Sequence, residues 1–162
     1  MPDSLEILAT RVGARLQEKG AQLVTAESCT GGWVAQAVTA VSGSSAWFER
    51  GFVPYSNAAK EELLDVRAET LARYGAVSEE TARELALGAL RHSKGSIAAA
   101  VTGVAGPTGG TAAKPVGLAC FAWATRSGVR SESRHFAGDR ESVRRQSVTR
   151  ALEGVLEVLD SV

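Results

Sequence analysis

Cysteine and histidine are scarce in these 162 residues, with two of each. Cys29 and Cys120 have no metal-ligand spacing and make no disulfide framework, which excludes a zinc module and a stapled secreted scaffold. His92, in a polar helix end, and His135, in a strand near basic residues, read as structural; neither suggests a Ser-His-Asp or Cys-His-Asp arrangement. No His, Cys and carboxylate cluster has ligand spacing, so neither a metal nor a cofactor is expected. Net charge is lacking too, because 18 Lys and Arg balance 18 Asp and Glu. A duplex binder draws its affinity from phosphate neutralisation, so neutrality argues against nucleic acid as a partner and leaves room only for a local anion site. No apolar run approaches the roughly 20 residues that cross a membrane. Met1 to Arg11 lacks the basic start and apolar core of a signal peptide. Together these absences imply a reduced, cytoplasmic setting with no membrane partner.

What the chain does have is apolar content, 44% of its residues, enough for a core in one domain spanning 1–162. Leu5, Leu8, Val12 and Leu16 repeat at three-to-four spacing and predict a helix ended by Gly20. Gln22 to Ala26 reads as a strand, followed by a polar turn and a helix over 33–41. A strand over 48–55 carries Pro54 near its end, which places that end at an edge or bulge. Asn57 reads as the N-cap of a helix through Leu64. A short helix over 68–74 and a longer one from Ser78 to about His92 follow, then a strand over 96–101. Strands over 116–124 and 129–136 flank a turn at Ser127-Gly128. Asp139 caps a last helix with Val148, Leu152, Val155 and Leu159 facing the core. The alternation predicts a three-layer α/β/α domain with a mixed, mostly parallel sheet. Apolar faces left exposed on such small domains often pair, so the expectation is a homo-oligomer, a dimer.

Two glycine-rich turns each follow a predicted strand, where open α/β sheets place their ligands. The first, Ser28-Cys29-Thr30-Gly31-Gly32, opens a helix whose free N–H groups and dipole favour an anion, including an oxyanion on a substrate carbonyl. The bland alternative is a tight strand-to-helix turn. The second, Thr102 to Gly110, holds four glycines and one proline and can bring backbone close to a ligand. No Lys-Ser/Thr follows its last glycine, so it is not a P-loop; an ordinary surface loop is the alternative.

With both histidines set aside, a base must come from elsewhere. Lys60 is the candidate: with Asn57 as N-cap it occupies the first helical turn, where the macrodipole lowers its pKa, and burial acts in the same direction. A neutral amine can take a proton from a serine hydroxyl. The other reading is a solvated lysine beside Glu61 and Glu62. Arg140 and Arg144, four apart, share a face near the start of the last helix. From Arg126 to Arg150 there are seven arginines against three acids, which suits a phosphate monoester or, equally, a solvated basic face.

These residues form a pattern. Thr25-Ala26-Glu27-Ser28-Cys29-Thr30-Gly31-Gly32, Tyr55-Ser56-Asn57 with Lys60, Gly103-Val104-Ala105-Gly106-Pro107 with Gly109-Gly110, Lys114-Pro115-Val116-Gly117, and Gly138-Asp139-Arg140 with Arg144 resemble the CinA C-terminal domain family from about Leu5 to Leu159. One departure is Pro54, where the family more often has threonine. The resemblance implies that nicotinamide mononucleotide is the small-molecule substrate, deamidated to nicotinate mononucleotide and ammonia for pyridine nucleotide salvage. It implies Ser28 as nucleophile and Lys60 as its base, with Tyr55 assisting proton transfer or holding the lysine. Thr30, Gly31, Gly32, Thr102 and Gly103 would meet the substrate, and Arg144 with Arg140 would take its phosphate. Cys29 is intrinsically the better nucleophile, but the resemblance favours serine. Two other classes remain open: a non-catalytic nucleotide-binding regulatory module, and a DNA-associated interaction protein. The latter is disfavoured by neutrality and by the lack of a recognition-helix motif.

Overall fold

The computed structural model describes residues 3–161. Helix α1, Ser4–Lys19, begins where the Asp3 carboxylate accepts the Glu6 N–H at 2.8 Å and ends at Gly20, φ 62°. Strand β1, Leu23–Glu27, leads through the first glycine turn into α2, Trp33–Thr39. Strand β2, Phe48–Phe52, is followed by helices α3, Asn57–Leu64, α4, Ala68–Tyr74, and α5, Glu79–Arg91. Strands β3, Ile97–Gly103, β4, Leu118–Thr125, and β5, Gly128–His135, precede α6, Arg140–Asp160.

The five strands form one sheet in the order β2-β1-β3-β4-β5. β2, β1 and β3 pair in parallel, whereas the β3–β4 and β4–β5 pairings are antiparallel. Only β4 therefore runs against the other four. Alternation along the strands divides the interior into two cores. Ile97, Ala99, Val101, Phe121 and Trp123 face α1, α2 and α6. Ala98, Ala100, Cys120, Ala122 and Ala124 face α3 and α5. The second face is built mostly of alanine, which lets α5 lie close to the sheet. The first is filled by the stacked rings of Phe121 and Trp123, 5.8 Å apart.

Four expectations shift. β1 runs one residue further than expected, so Glu27 is strand and not turn. β2 stops at Phe52, and Pro54 and Tyr55 lie beyond it. The N-cap of α3 is Ser56, whose hydroxyl accepts the Ala59 N–H at 3.0 Å, and Asn57 is already helical. The second glycine run is partly regular after all. Thr102 and Gly103 continue β3 opposite Cys120 and Ala119, because β4 is there to pair with them. Among the described residues no helix is long and apolar enough to cross a membrane.

Candidate active site

The chain leaves β1 toward β2 on one side of the sheet and returns past it to β3 on the other. This makes the β1/β3 boundary a topological switch point, where the carboxyl ends of the strands open a crevice. A cleft of about 320 Å³ lies there, at the small end of the range for ligand sites. Its walls include Ser28 and Cys29 after β1, Tyr55 and Lys60 after β2, Thr102 and Gly103 at the end of β3, and Arg140.

Ser28 is held at the end of the ladder, its N–H donating to Val101 O at 3.0 Å. Lys60 projects from α3 and is only 1% exposed, which removes the solvated-lysine reading. Its Nζ lies 3.1 Å from Ser28 Oγ, 3.0 Å from Pro54 O and 2.8 Å from Tyr55 O. Two of these three neighbours are carbonyls that can only accept. A neutral amine has two hydrogens, so donating them to the carbonyls aims its lone pair at the Ser28 hydroxyl. Burial drives the Lys60 pKa down from its ordinary value. The expected dipole contribution loses force, because with Ser56 as cap Lys60 lies beyond the first three helical residues.

Cys29 borders the same cleft, and burial pushes its thiol up to about 12. Such a thiol is almost wholly protonated at neutral pH and is a poor nucleophile. The hydroxyl beside the amine is the better-placed group.

The turn carrying Ser28 is fixed from two sides. The carboxylate of Glu27, 1% exposed, accepts from the Thr30 hydroxyl at 2.6 Å, the Val34 N–H at 2.7 Å and the Ala35 N–H at 2.9 Å. Helix α2 starts at Gly32 with no side-chain cap of its own, and Glu27 supplies one from the preceding strand. The start of α2 is therefore filled by an internal anion and is not open to a substrate oxyanion, contrary to the sequence reading. From the other side, Arg144 Nε donates to Cys29 O and its NH2 group to Thr30 O, both at 3.1 Å.

The remaining predicted residues divide. Thr102 and Gly103 line the cleft; the Thr102 hydroxyl donates to Ala76 O at 3.0 Å. A side chain at position 103 would meet Leu118 O at 2.8 Å and Cys29 Sγ at 3.2 Å, so only glycine fits. Arg140 lines the cleft and donates to Gly106 O at 2.7 Å. Tyr55 touches Lys60 through its carbonyl, while its side chain is 62% exposed at the cleft. Thr30 is buried, and Gly31 and Gly32 shape the turn with φ of 61° and 105°. None of these three forms part of the cleft wall, and the Gly31 N–H is engaged by Ser28 O at 3.1 Å. Arg144 does not border the cleft either. Sequence reading missed the anchoring roles of Glu27 and the Pro54 carbonyl. A helix start without a Ser, Thr, Asp or Asn cap was the available sign that another residue must cap it.

The model of the CinA C-terminal domain matches residues 5–159. The chain is 52% identical over 155 residues to the nicotinamide-nucleotide amidohydrolase PncC of Escherichia coli K12, covering 94% of each. It is 52% identical over 156 residues to PncC of Pseudomonas putida, covering 96% of this chain and 98% of that one. Among solved structures, a competence/damage inducible protein from Agrobacterium tumefaciens superposes with TM-score 0.93 at 46% identity, covering 99% and 98% of the two chains. A CinA superfamily protein from Klebsiella pneumoniae gives TM-score 0.95 at 40% identity, covering 99% of this chain and all of the other.

Proposed function

This chain belongs to the CinA C-terminal domain family, and from that membership we propose that it is a nicotinamide-nucleotide amidohydrolase working through Ser28 and Lys60. Nicotinamide mononucleotide is its substrate, and nicotinate mononucleotide and ammonia are its products, feeding pyridine nucleotide (NAD) salvage. The reading also takes residues 1–162 as one domain of this family. The observation that carries the chemistry is the amine of Lys60, buried at 3.1 Å from Ser28 Oγ with its other neighbours both carbonyls.

The steps follow from that geometry. Lys60 takes the hydroxyl proton as Ser28 Oγ attacks the carboxamide carbon, and the carbonyl π electrons move to oxygen. Collapse of the tetrahedral adduct expels the amide nitrogen, which takes the proton from Lys60 and leaves as ammonia. Water then attacks the acyl-enzyme with Lys60 again as base; collapse returns that proton from Lys60 to Ser28 Oγ, and the acid released gives its remaining proton to solvent and departs as the carboxylate. Thr102 and Gly103 border the reacting group. With Lys60 neutral, Arg140 is the cation of the cleft wall, and no carboxylate lines it, which suits a substrate bearing phosphate. Arg140 is the arginine placed to meet that phosphate. Tyr55 serves by its carbonyl, which orients the amine.

The test is ammonia release by purified protein from nicotinamide, its riboside and its mononucleotide. The mononucleotide should be cleaved best. Ser28→Ala and Lys60→Ala should each lower kcat by about 10²–10⁴-fold, whereas Cys29→Ala and Tyr55→Phe should stay within a few-fold of the parent. Cleavage of the free base alone would remove the phosphate from the reading. Loss of activity in Cys29→Ala with Ser28→Ala active would overturn the nucleophile.

A further inference from the structure

Arg144 shares a helix face with Arg140, yet the two guanidinium groups are used differently. Arg140 reaches the cleft wall. Arg144 instead binds the carbonyls of the two residues that follow Ser28. Its guanidinium also lies over the Trp33 ring, 5.5 Å from the centroid. Gly31, beside this guanidinium, sits at φ 61°, a backbone conformation that favours glycine.

We infer that Arg144 is a positioning residue for the Ser28 turn and not a ligand of the substrate. The turn contains few bonds that could fix it alone: Gly31 N–H to Ser28 O at 3.1 Å and Trp33 N–H to Thr30 O at 3.0 Å. Two glycines at positive φ follow, and glycine has the largest conformational freedom to lose. Glu27 holds the N–H ends of the α2 start, and Arg144 holds carbonyl ends of the turn before it. Opposite charges thus grip the two ends of the local peptide dipoles. Arg144 also polarises the Thr30–Gly31 peptide, which strengthens the Gly31 N–H bond to Ser28 O, since linked hydrogen bonds reinforce one another. The net effect is that Ser28 Oγ stays within reach of Lys60 when the cleft is empty and does not have to be ordered by the substrate.

The inference depends on the amidohydrolase reading for its kinetic arm only. Arg144→Ala and Arg144→Lys are compared with the parent for kcat and KM on nicotinamide mononucleotide, and the crystal structure of the alanine protein is determined. The expected result is a kcat lower by about 10- to 100-fold, the loss that accompanies a misplacement near 1 Å. KM should be unchanged within about twofold, and lysine should recover part of the rate through one of the two carbonyls. In the alanine structure Ser28 Oγ should have left Lys60 Nζ. A KM increase with kcat preserved would make Arg144 a phosphate ligand and overturn the inference, as would a parental kcat. If the unsubstituted protein releases no ammonia, the amidohydrolase reading fails by itself. The crystal structure then decides the role of Arg144: an unmoved Ser28–Lys60 pair overturns it, and a separated pair supports it.

Discussion

At the scale of single residues, the site depends on what burial does to two neighbouring groups. It lowers the Lys60 amine toward neutrality and raises the Cys29 thiol away from thiolate. In the proposed reaction the base is thereby activated while the intrinsically stronger nucleophile is silenced. A consequence is a rate that depends on pH with a definite sign. In the proposed mechanism the neutral form of Lys60 is the active one, so kcat should rise with pH through the lysine's depressed value and fall below it. Stability should follow the same sign. Between that value and the ordinary lysine value near 10.4 the unfolded chain binds a proton that the folded protein does not, so raising pH favours folding. A kcat that declines across neutral and mildly alkaline pH would contradict this. The sequence makes Ser28 and Lys60 legible through a motif and names burial among the causes of the lowered pKa, but overstates the helix dipole. The sequence pattern puts the cap of α3 on Asn57, one residue later than Ser56, where it lies. The resemblance assigns Arg144 to the phosphate, while spacing shows only that two arginines share a face. Which carbonyls they reach depends on how α6 docks against the β1 turn.

At the scale of elements, the position of the lysine is set by the crossing of α3 and α5. Gly88 of α5 lies against the end of α3, where an added Cβ would collide with the Leu64 backbone carbonyl. Backbone cannot step aside as a flexible side chain can. Gly88→Ala should therefore destabilise by about 1–3 kcal/mol and lower kcat as well, because α3 carries Lys60. Thermal melting and ammonia release on the same protein check both effects; a variant with parental stability and rate would show that the crossing can give. Pattern and cap signals predict the α-helices and strands described above, but not the short 3-10 turn Ser44–Ala46, and err at the ends facing the cleft. β3 runs two residues past its predicted end because β4 pairs with Thr102 and Gly103. β2 stops short of Pro54 and Tyr55, whose carbonyls turn to the amine. Such ends are set by partners distant in sequence, which local spacing cannot report.

At the scale of the whole molecule, α6 is tied to β5 by a charged network around Arg150. Its guanidinium takes Glu132 in a bidentate pair at 2.7 and 2.8 Å and Glu157 at 2.6 and 3.0 Å, and lies over the Trp123 ring. Hydrogen bonding to Arg150 holds both carboxylates below their ordinary range. Groups shifted in this direction stabilise the fold above the unfolded carboxylate value, near 4.3, and lose that effect as pH falls through their folded values. Arg150→Met should thus lower Tm clearly at pH 7, with the gap from the parent narrowing toward pH 3. A gap that stays constant over that range would assign the loss to packing on Trp123 alone. The mixed sheet itself was legible from the alternation of helices and late adjacent strands. The two-sided character of its interior sharpens what the strand pattern implied.

That two-sidedness reaches the chemistry. The turn carrying the hydroxyl is held by α2 and α6 of one layer, and the amine comes from α3 of the other, so the pair needs both layers docked on the same sheet. Turnover is then a coincidence detector for the two halves of the interior. A partly denatured population keeping either half intact would retain helical signal and yet hydrolyse nothing.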